Sequence, residues 1–204
     1  MHQIRAFGAG FALALCLTLT AAPAAASEAD FMTARETAVA PLGHRLFCKA
    51  HPQECRAEAP APAARLELKP DIVRLVAEIN TAVNATIRPQ SDQEQYGVEE
   101  NWTYPDKRGD CEDYALLKRR QLHAAGIALS DLLLTVVRKR NGEGHAVLTL
   151  TTTTGDYVLD NLDWRVKAWR ETPYTFLKRQ SSDDPAAWQT ISADGDMLVS
   201  AVAR

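Results

Sequence analysis

Apolar residues recur along this chain in two different periods, and the change of period divides it. From Asp71 onward Ile72, Val76, Ile79, Val83 and Ile87 return at steps of three and four, the stripe of an amphipathic helix. Arg74, Glu78 and Asn84 fall mainly on other faces, and Arg88-Pro89 ends the helix, because the residue before a proline avoids helical backbone. A second helix is expected from about Cys111 to Ala125, rich in Ala, Leu, Lys, Arg and Gln. Asp110 is placed to cap its start and Gly126 to cap its end. After that the period shortens. Asp131 to Arg138 contains Leu-Leu-Leu-Thr-Val-Val, a buried strand, and Asn141-Gly142-Glu143-Gly144 is a turn. His145 to Thr151 predicts a strand, Thr152 to Asp156 a turn and Tyr157 to Asp160 a third strand.

This pattern predicts an α+β fold, helices first and an antiparallel meander after them. Residues 162–190, with Trp164, Trp169, Tyr174, Phe176 and Trp188, are expected to pack back as further strand and loop. Residues 90–108 read as a long polar loop carrying Trp102 and Tyr104, and such loops in compact domains are often functional. Residues 27–58 read as an irregular leader. Ala59 to Ala64 alternate Ala and Pro, a stiff extended connector.

The first residues decide the compartment. His2 and Arg5 precede an apolar run from Phe11 to Leu19, too short for a membrane helix of about 20 residues. Pro23, Ala24 and Ala26 then supply a small-residue cleavage site, so residues 1–26 read as a secretory signal peptide cut after Ala26. Cys16 follows Leu15 rather than a small residue, against a lipoprotein anchor. The division is residues 1–26 signal peptide, 27–64 N-terminal segment with connector, and 65–204 the main domain. No later run has membrane length, so the mature chain has no membrane span and is expected in the periplasm or outside the cell. Cleavage takes one of 23 basic residues and none of 26 acidic ones, leaving a formal charge of −4. That balance argues against nucleic acid as partner, which calls for a concentrated basic stripe.

Three cysteines survive cleavage: Cys48, Cys55 and Cys111. In an oxidising compartment Cys48 and Cys55, close together around His51 and Pro52, suit a local disulfide. Metal binding by His44, Cys48, His51 and Cys55 is the alternative, though the segment lacks a C-x-x-C pair. Either way Cys111 is left over. It opens a helix, where free N–H groups and the dipole favour a thiolate. Three neighbouring carboxylates, Asp110, Glu112 and Asp113, disfavour that thiolate unless a histidinium or a bound cation offsets them. His145 opens a strand after a Gly-rich turn and is the candidate base. Asp160 ends the next strand. A hairpin turning at Thr152–Gly155 places Val147 opposite Asp160, so His145 and Asp160 share a face two positions apart. Nucleophile, base and orienter are the parts of triad catalysis. Read separately, each is also an ordinary structural residue: a small buried thiol, a strand histidine, a turn-capping acid.

Gly109-Asp110-Cys111-Glu112-Asp113-Tyr114-Ala115, Gly144-His145-Ala146-Val147-Leu148 and Tyr157-Val158-Leu159-Asp160-Asn161 resemble, in that order, the bacterial transglutaminase-like cysteine peptidases. The likeness covers roughly Trp102 to Trp188, including Lys178-Arg179-Gln180-Ser181. It implies a papain-like/transglutaminase-like core, with the nucleophile at a helix N-terminus packed on an antiparallel sheet, and a triad of Cys111, His145 and Asp160. Characterised members include LapG-type periplasmic proteases, which cleave large surface adhesins and need calcium. Their ligands would correspond to Asp110 and Glu112, with Asp113 nearby. Calcium takes six to eight oxygens, so loop carbonyls or waters would complete the shell; helix capping is the alternative role of these acids. The resemblance implies a protein substrate, such as a surface adhesin, and no organic cofactor. Trp102 lines the cleft, assists the oxyanion or belongs to the core. Acyl transfer to an amine, or a non-catalytic periplasmic binding domain, remain the competing functions.

Overall fold

The structure, a computed structural model, describes residues 30–57 and 64–192. The expected signal peptide and most of the Ala/Pro connector lie outside the described residues.

The helical stripe forms α2 (Pro70–Thr86), with a short α1 (Leu42–Ala50) before it. Val76 and Val83 of the stripe are buried. The expected polar loop contains α3 (Asp92–Tyr96), closed at its start by a reciprocal cap between Ser91 and Glu94. It also contributes to a two-residue parallel pairing, β2 (Arg88–Pro89) with β3 (Arg108–Gly109). The second helix is α4 (Cys111–Ala124). Gly126 after its end has φ +98°, the left-handed backbone that glycine accepts without a Cβ clash.

β4 (Leu132–Arg138), β5 (Gly144–Thr152) and β6 (Gly155–Leu159) form the expected meander. β7 (Lys167–Ala168), β8 (Thr175–Gln180) and β9 (Trp188–Ser192) follow. The reading of residues 27–58 as irregular is corrected here. Thr33–Ala38 is strand β1, which pairs antiparallel with β9 and closes one edge of the sheet. Its sequence, Thr-Ala-Arg-Glu-Thr-Ala, is half-buried or exposed throughout, so it has no apolar alternation to betray it. The seven strands run β1-β9-β8-β4-β5-β6-β7, every neighbour antiparallel.

Alternation splits the sheet into two apolar faces. Leu132, Leu134, Leu148, Leu150, Leu159 and Trp188 meet Ala115, Leu116 and Leu122 of α4 in the main core. Val137, Val147, Val158, Phe176 and Ile191 form the other face, under Met32 and Trp169. Each fully buried leucine contributes about 1.5–3 kcal/mol. With sheet on one side and α2 on another, α4 buries nearly its whole girth, Lys118 and Arg119 included. Arg119 donates to the Leu132 carbonyl at 3.1 Å and pairs with Glu54 at 3.7 Å. That contact ties the turn after α1 to the central helix. Cys48 and Cys55 are bonded to each other across this turn, their Cα atoms 5.5 Å apart.

Candidate active site

Cys111 is the first residue of α4 and the free cysteine among the described residues. Its Sγ accepts the Ala146 N–H at 3.3 Å, which pins the helix start to the strand residue beside His145. His145 and Asp160 are brought together as the hairpin register requires. Leu148 pairs with Leu159, so the ladder continues to Val147 opposite Asp160. His145 Nε2 lies 2.9 Å from Asp160 Oδ1, with the two residues 5% and 4% exposed. With Nε2 turned to the carboxylate, Nδ1 is the ring nitrogen left for proton transfer.

Asp160 is held from three directions. Oδ1 also accepts the Leu162 N–H at 3.0 Å, and Oδ2 accepts the Tyr174 hydroxyl. Burial pushes its carboxyl up, but the hydrogen bonds from His145, Leu162 and Tyr174 outweigh this and bring it below the usual range. The Tyr174 ring also packs beside His145, centroids 5.4 Å apart. A cleft of about 370 Å³ opens on Cys111 and His145, lined also by Trp102, Glu112, Ala146 and Lys178 among others. A separate apolar groove of about 470 Å³, bordered by Val76, Tyr157 and Trp164, shares none of these residues.

Trp102 is 6% exposed and forms one wall of the cleft. Its indole N–H is donated to Glu100 at 2.8 Å, so it is engaged rather than aimed at an oxyanion. Gly43 makes room for it: a Cβ there would lie 2.2 Å from Trp102 Cδ1. His44, beside the disulfide, packs edge-on to Trp102 and Trp188. His44, Cys48 and Cys55 come within ligand distance of one another, yet the two sulfurs are already bonded together.

The three acids around Cys111 divide. Glu112 turns to Cys111, its Oε2 accepting the thiol at 3.1 Å. Asp110 and Asp113 turn the other way and meet Asp92 of α3; oxygens of all three lie within 4.8 Å of one another. Asp110 sits at the N-cap position but does not cap α4; its Oδ2 accepts the Asp92 N–H at 3.1 Å. Asp113 Oδ1 accepts the Thr103 N–H at 2.9 Å, and Asp92 accepts that of Asn101. Asp110 Oδ1 and Asp113 Oδ2 are buried without a donor. Burial first, then Asp110, raises Glu112 to about 9; burial, then Asp110 and Asp92, raises Asp113 to about 8. Burial, then Glu112, pushes the Cys111 thiol well up. Buried carboxylates with empty lone pairs suit a hard divalent cation, whose oxygen preference and charge answer both deficits.

The sequence pattern of the bacterial transglutaminase-like cysteine proteinases matches residues 34–196. The chain belongs to that family. Membership makes this a cysteine peptidase fold with a protein substrate. No curated protein sequence matches the chain. A solved structure of calcium-bound LapG from Legionella pneumophila is similar in fold, with TM-score 0.50 and 22% identity over 62% of this chain and 74% of that one. Another LapG structure from Legionella pneumophila has TM-score 0.49 and 23% identity, over 64% of this chain and 73% of that one.

For this transglutaminase-like proteinase, reading along the chain missed Asp92 and Tyr174. Asp92 had one available signal, the Ser91–Glu94 helix cap that gives the polar loop a short helix. Tyr174 had none beyond being one of several late aromatics.

Proposed function

We propose that this chain is an exported cysteine peptidase that cleaves peptide bonds with Cys111, His145 and Asp160. The observation that carries the proposal is the 2.9 Å His145–Asp160 hydrogen bond at the back of the cleft that Cys111 lines. Cys111 passes its proton to His145 Nδ1 and attacks the substrate carbonyl as the thiolate. Backbone N–H groups at the start of α4 face the developing oxyanion, the usual place for such donors. His145 then protonates the leaving amine, and the freed chain departs. Water, deprotonated by His145, attacks the thioester and releases Cys111. Asp160 holds the ring orientation and stabilises the imidazolium throughout. Export is read from residues 1–26.

The carboxylates that would hold calcium are Asp92, Asp110 and Asp113, a set that replaces Glu112 with Asp92 relative to the sequence-based expectation. Bound there, calcium supplies the positive charge that lets acids and thiolate ionise side by side. The calcium-bound neighbour supports this reading.

Iodoacetamide labelling of the full chain tests the proposal: fast modification of Cys111, lost on His145→Ala, is expected. Incubation with candidate surface proteins, beside Cys111→Ala, should yield new termini by mass spectrometry. Cross-linked products without new termini would instead mean acyl transfer to an amine. A thiol as inert with His145 as without it would defeat the enzyme reading.

A further inference from the structure

The Lys178-Arg179-Gln180-Ser181 stretch reaches the cleft through its lysine. Arg179 pairs with Asp156 at 2.9 Å, and Gln180 Oε1 accepts the Leu134 N–H at 2.9 Å, so both are committed inside the fold. Lys178 lines the cleft together with Cys111. The strand register fixes how they are related. Lys178 of β8 pairs with Val136 of β4, and Val136 pairs with Ala146 of β5, which donates its N–H to Cys111 Sγ. Lys178, Val136 and Ala146 thus form one row across the sheet, and all three line the cleft. Two strand spacings of about 4.8 Å separate the ends of that row, roughly the reach of three extended residues.

The Lys178 ammonium is held in place. Its Nζ donates to the Val39 carbonyl at 2.7 Å and lies 5.9 Å from the centre of the Trp188 ring. An ammonium has further N–H groups to give, and this one meets no carboxylate among the described residues. Burial pulls its pKa below the usual lysine value, a penalty that a carboxylate beside it would offset. The two acids of the cleft are engaged elsewhere: Glu100 accepts the Trp102 indole N–H and Glu112 the Cys111 thiol. Arg138, two residues beyond Val136 and so on the same face of β4, is exposed and also has no carboxylate partner among the described residues. The charge this row offers to an entering chain is therefore positive.

Building on the triad reading, we propose that Lys178 selects the substrate, binding an Asp or Glu side chain about three residues from the bond that Cys111 attacks. The substrate crosses the strands from Ala146 over Val136 to Lys178, and the carboxylate takes the N–H groups that Val39 leaves free.

The test is alkylation of Cys111 in the full chain, with calcium present, by two series of end-capped peptides. One series carries a chloromethyl ketone after X-Gly-Gly and the other an iodoacetyl group before Gly-Gly-X, so both directions from the reacting atom are covered. X is Asp, Asn or Arg, and each rate is divided by that of the same peptide with free cysteine. In at least one series the Asp peptide should react at least ~5-fold faster than the Asn peptide, with Arg slowest, and the advantage should shrink at ~1 M salt. In Lys178→Met the Asp and Asn peptides should react alike, and Lys178→Glu should favour the Arg peptide. Equal Asp and Asn rates in both series for wild type, or an Asp advantage that survives Lys178→Met or ~1 M salt, would overturn the proposal. Should neither variant fold, the wild-type rates and their salt dependence decide it. Iodoacetamide alkylation indifferent to His145→Ala would instead defeat the triad reading, whereas equal peptide rates on a His145-dependent thiol defeat the role of Lys178 alone.

Discussion

Tyr174 donates its hydroxyl hydrogen to Oδ2 of Asp160, the carboxylate oxygen that His145 does not use. The acid of the proposed triad is thus held by two side chains and one backbone N–H, and its orientation is set from outside the β5–β6 hairpin. Tyr174→Phe removes one hydrogen bond to a buried charge and leaves the ring contact with His145 in place. The expected result is a fall in turnover of about tenfold, with substrate affinity nearly unchanged. Steady-state kinetics on a cleaved protein substrate would measure it; equal loss in kcat and affinity would argue for a binding role.

Gly109 has no side chain where a Cβ would lie 2.6 Å from Asp113 Oδ2 and 2.8 Å from its Cβ. Gly109→Ala must displace Asp113 from the carboxylate group. Stability should drop by about 1–3 kcal/mol from overpacking, and calcium affinity should fall with it. Thermal melts with and without calcium, compared with wild type, separate the two effects.

Calcium bound to Asp92, Asp110 and Asp113 would stabilise the folded chain by mass action, by about 2.7 kcal/mol at a hundredfold excess over the dissociation constant. The melting temperature should rise with calcium, return under EGTA, and respond far less in Asp92→Asn. Identical melts in calcium and EGTA would remove this site from consideration.

His44 is 1% exposed and accepts the Trp188 indole N–H at 3.2 Å, with the Gln180 amide nitrogen 3.1 Å away. Burial, then the Arg119 charge, lowers it to about 4 from 6.5. The unfolded chain therefore binds more protons between these values, and stability falls as pH drops through that window. The full contribution is present above about 6.5, and up to ~3 kcal/mol is lost by pH ~4. Urea unfolding at several pH values, wild type against His44→Gln, isolates this term from the raised acids near Cys111, whose slope has the opposite sign. Parallel curves for the two proteins would contradict it.

Local pattern sufficed for α2, α4, the three-stranded meander and the register that puts His145 and Asp160 on one face. Each rests on rules acting over a few residues: the period of apolar positions, glycine at a helix end, the length of a hairpin turn. The 27–58 segment shows where those rules stop. β1 is a polar edge strand whose partner lies at the far end of the chain, and no periodicity within it declares a strand. The acidic residues were equally ambiguous. Asp110, Glu112 and Asp113 are close neighbours of Cys111 on a helix start, and spacing alone could not say which faces the thiol.

The sequence by itself determined that Cys111 opens a helix and that His145 and Asp160, the proposed base and acid, share one ladder, because backbone periodicity and chain reversal are local. Only the tertiary structure decided which groups surround them. Asp92 and Tyr174 reach Asp110 and Asp160 from separate elements, and the desolvation that shifts these groups exists only once those elements pack together.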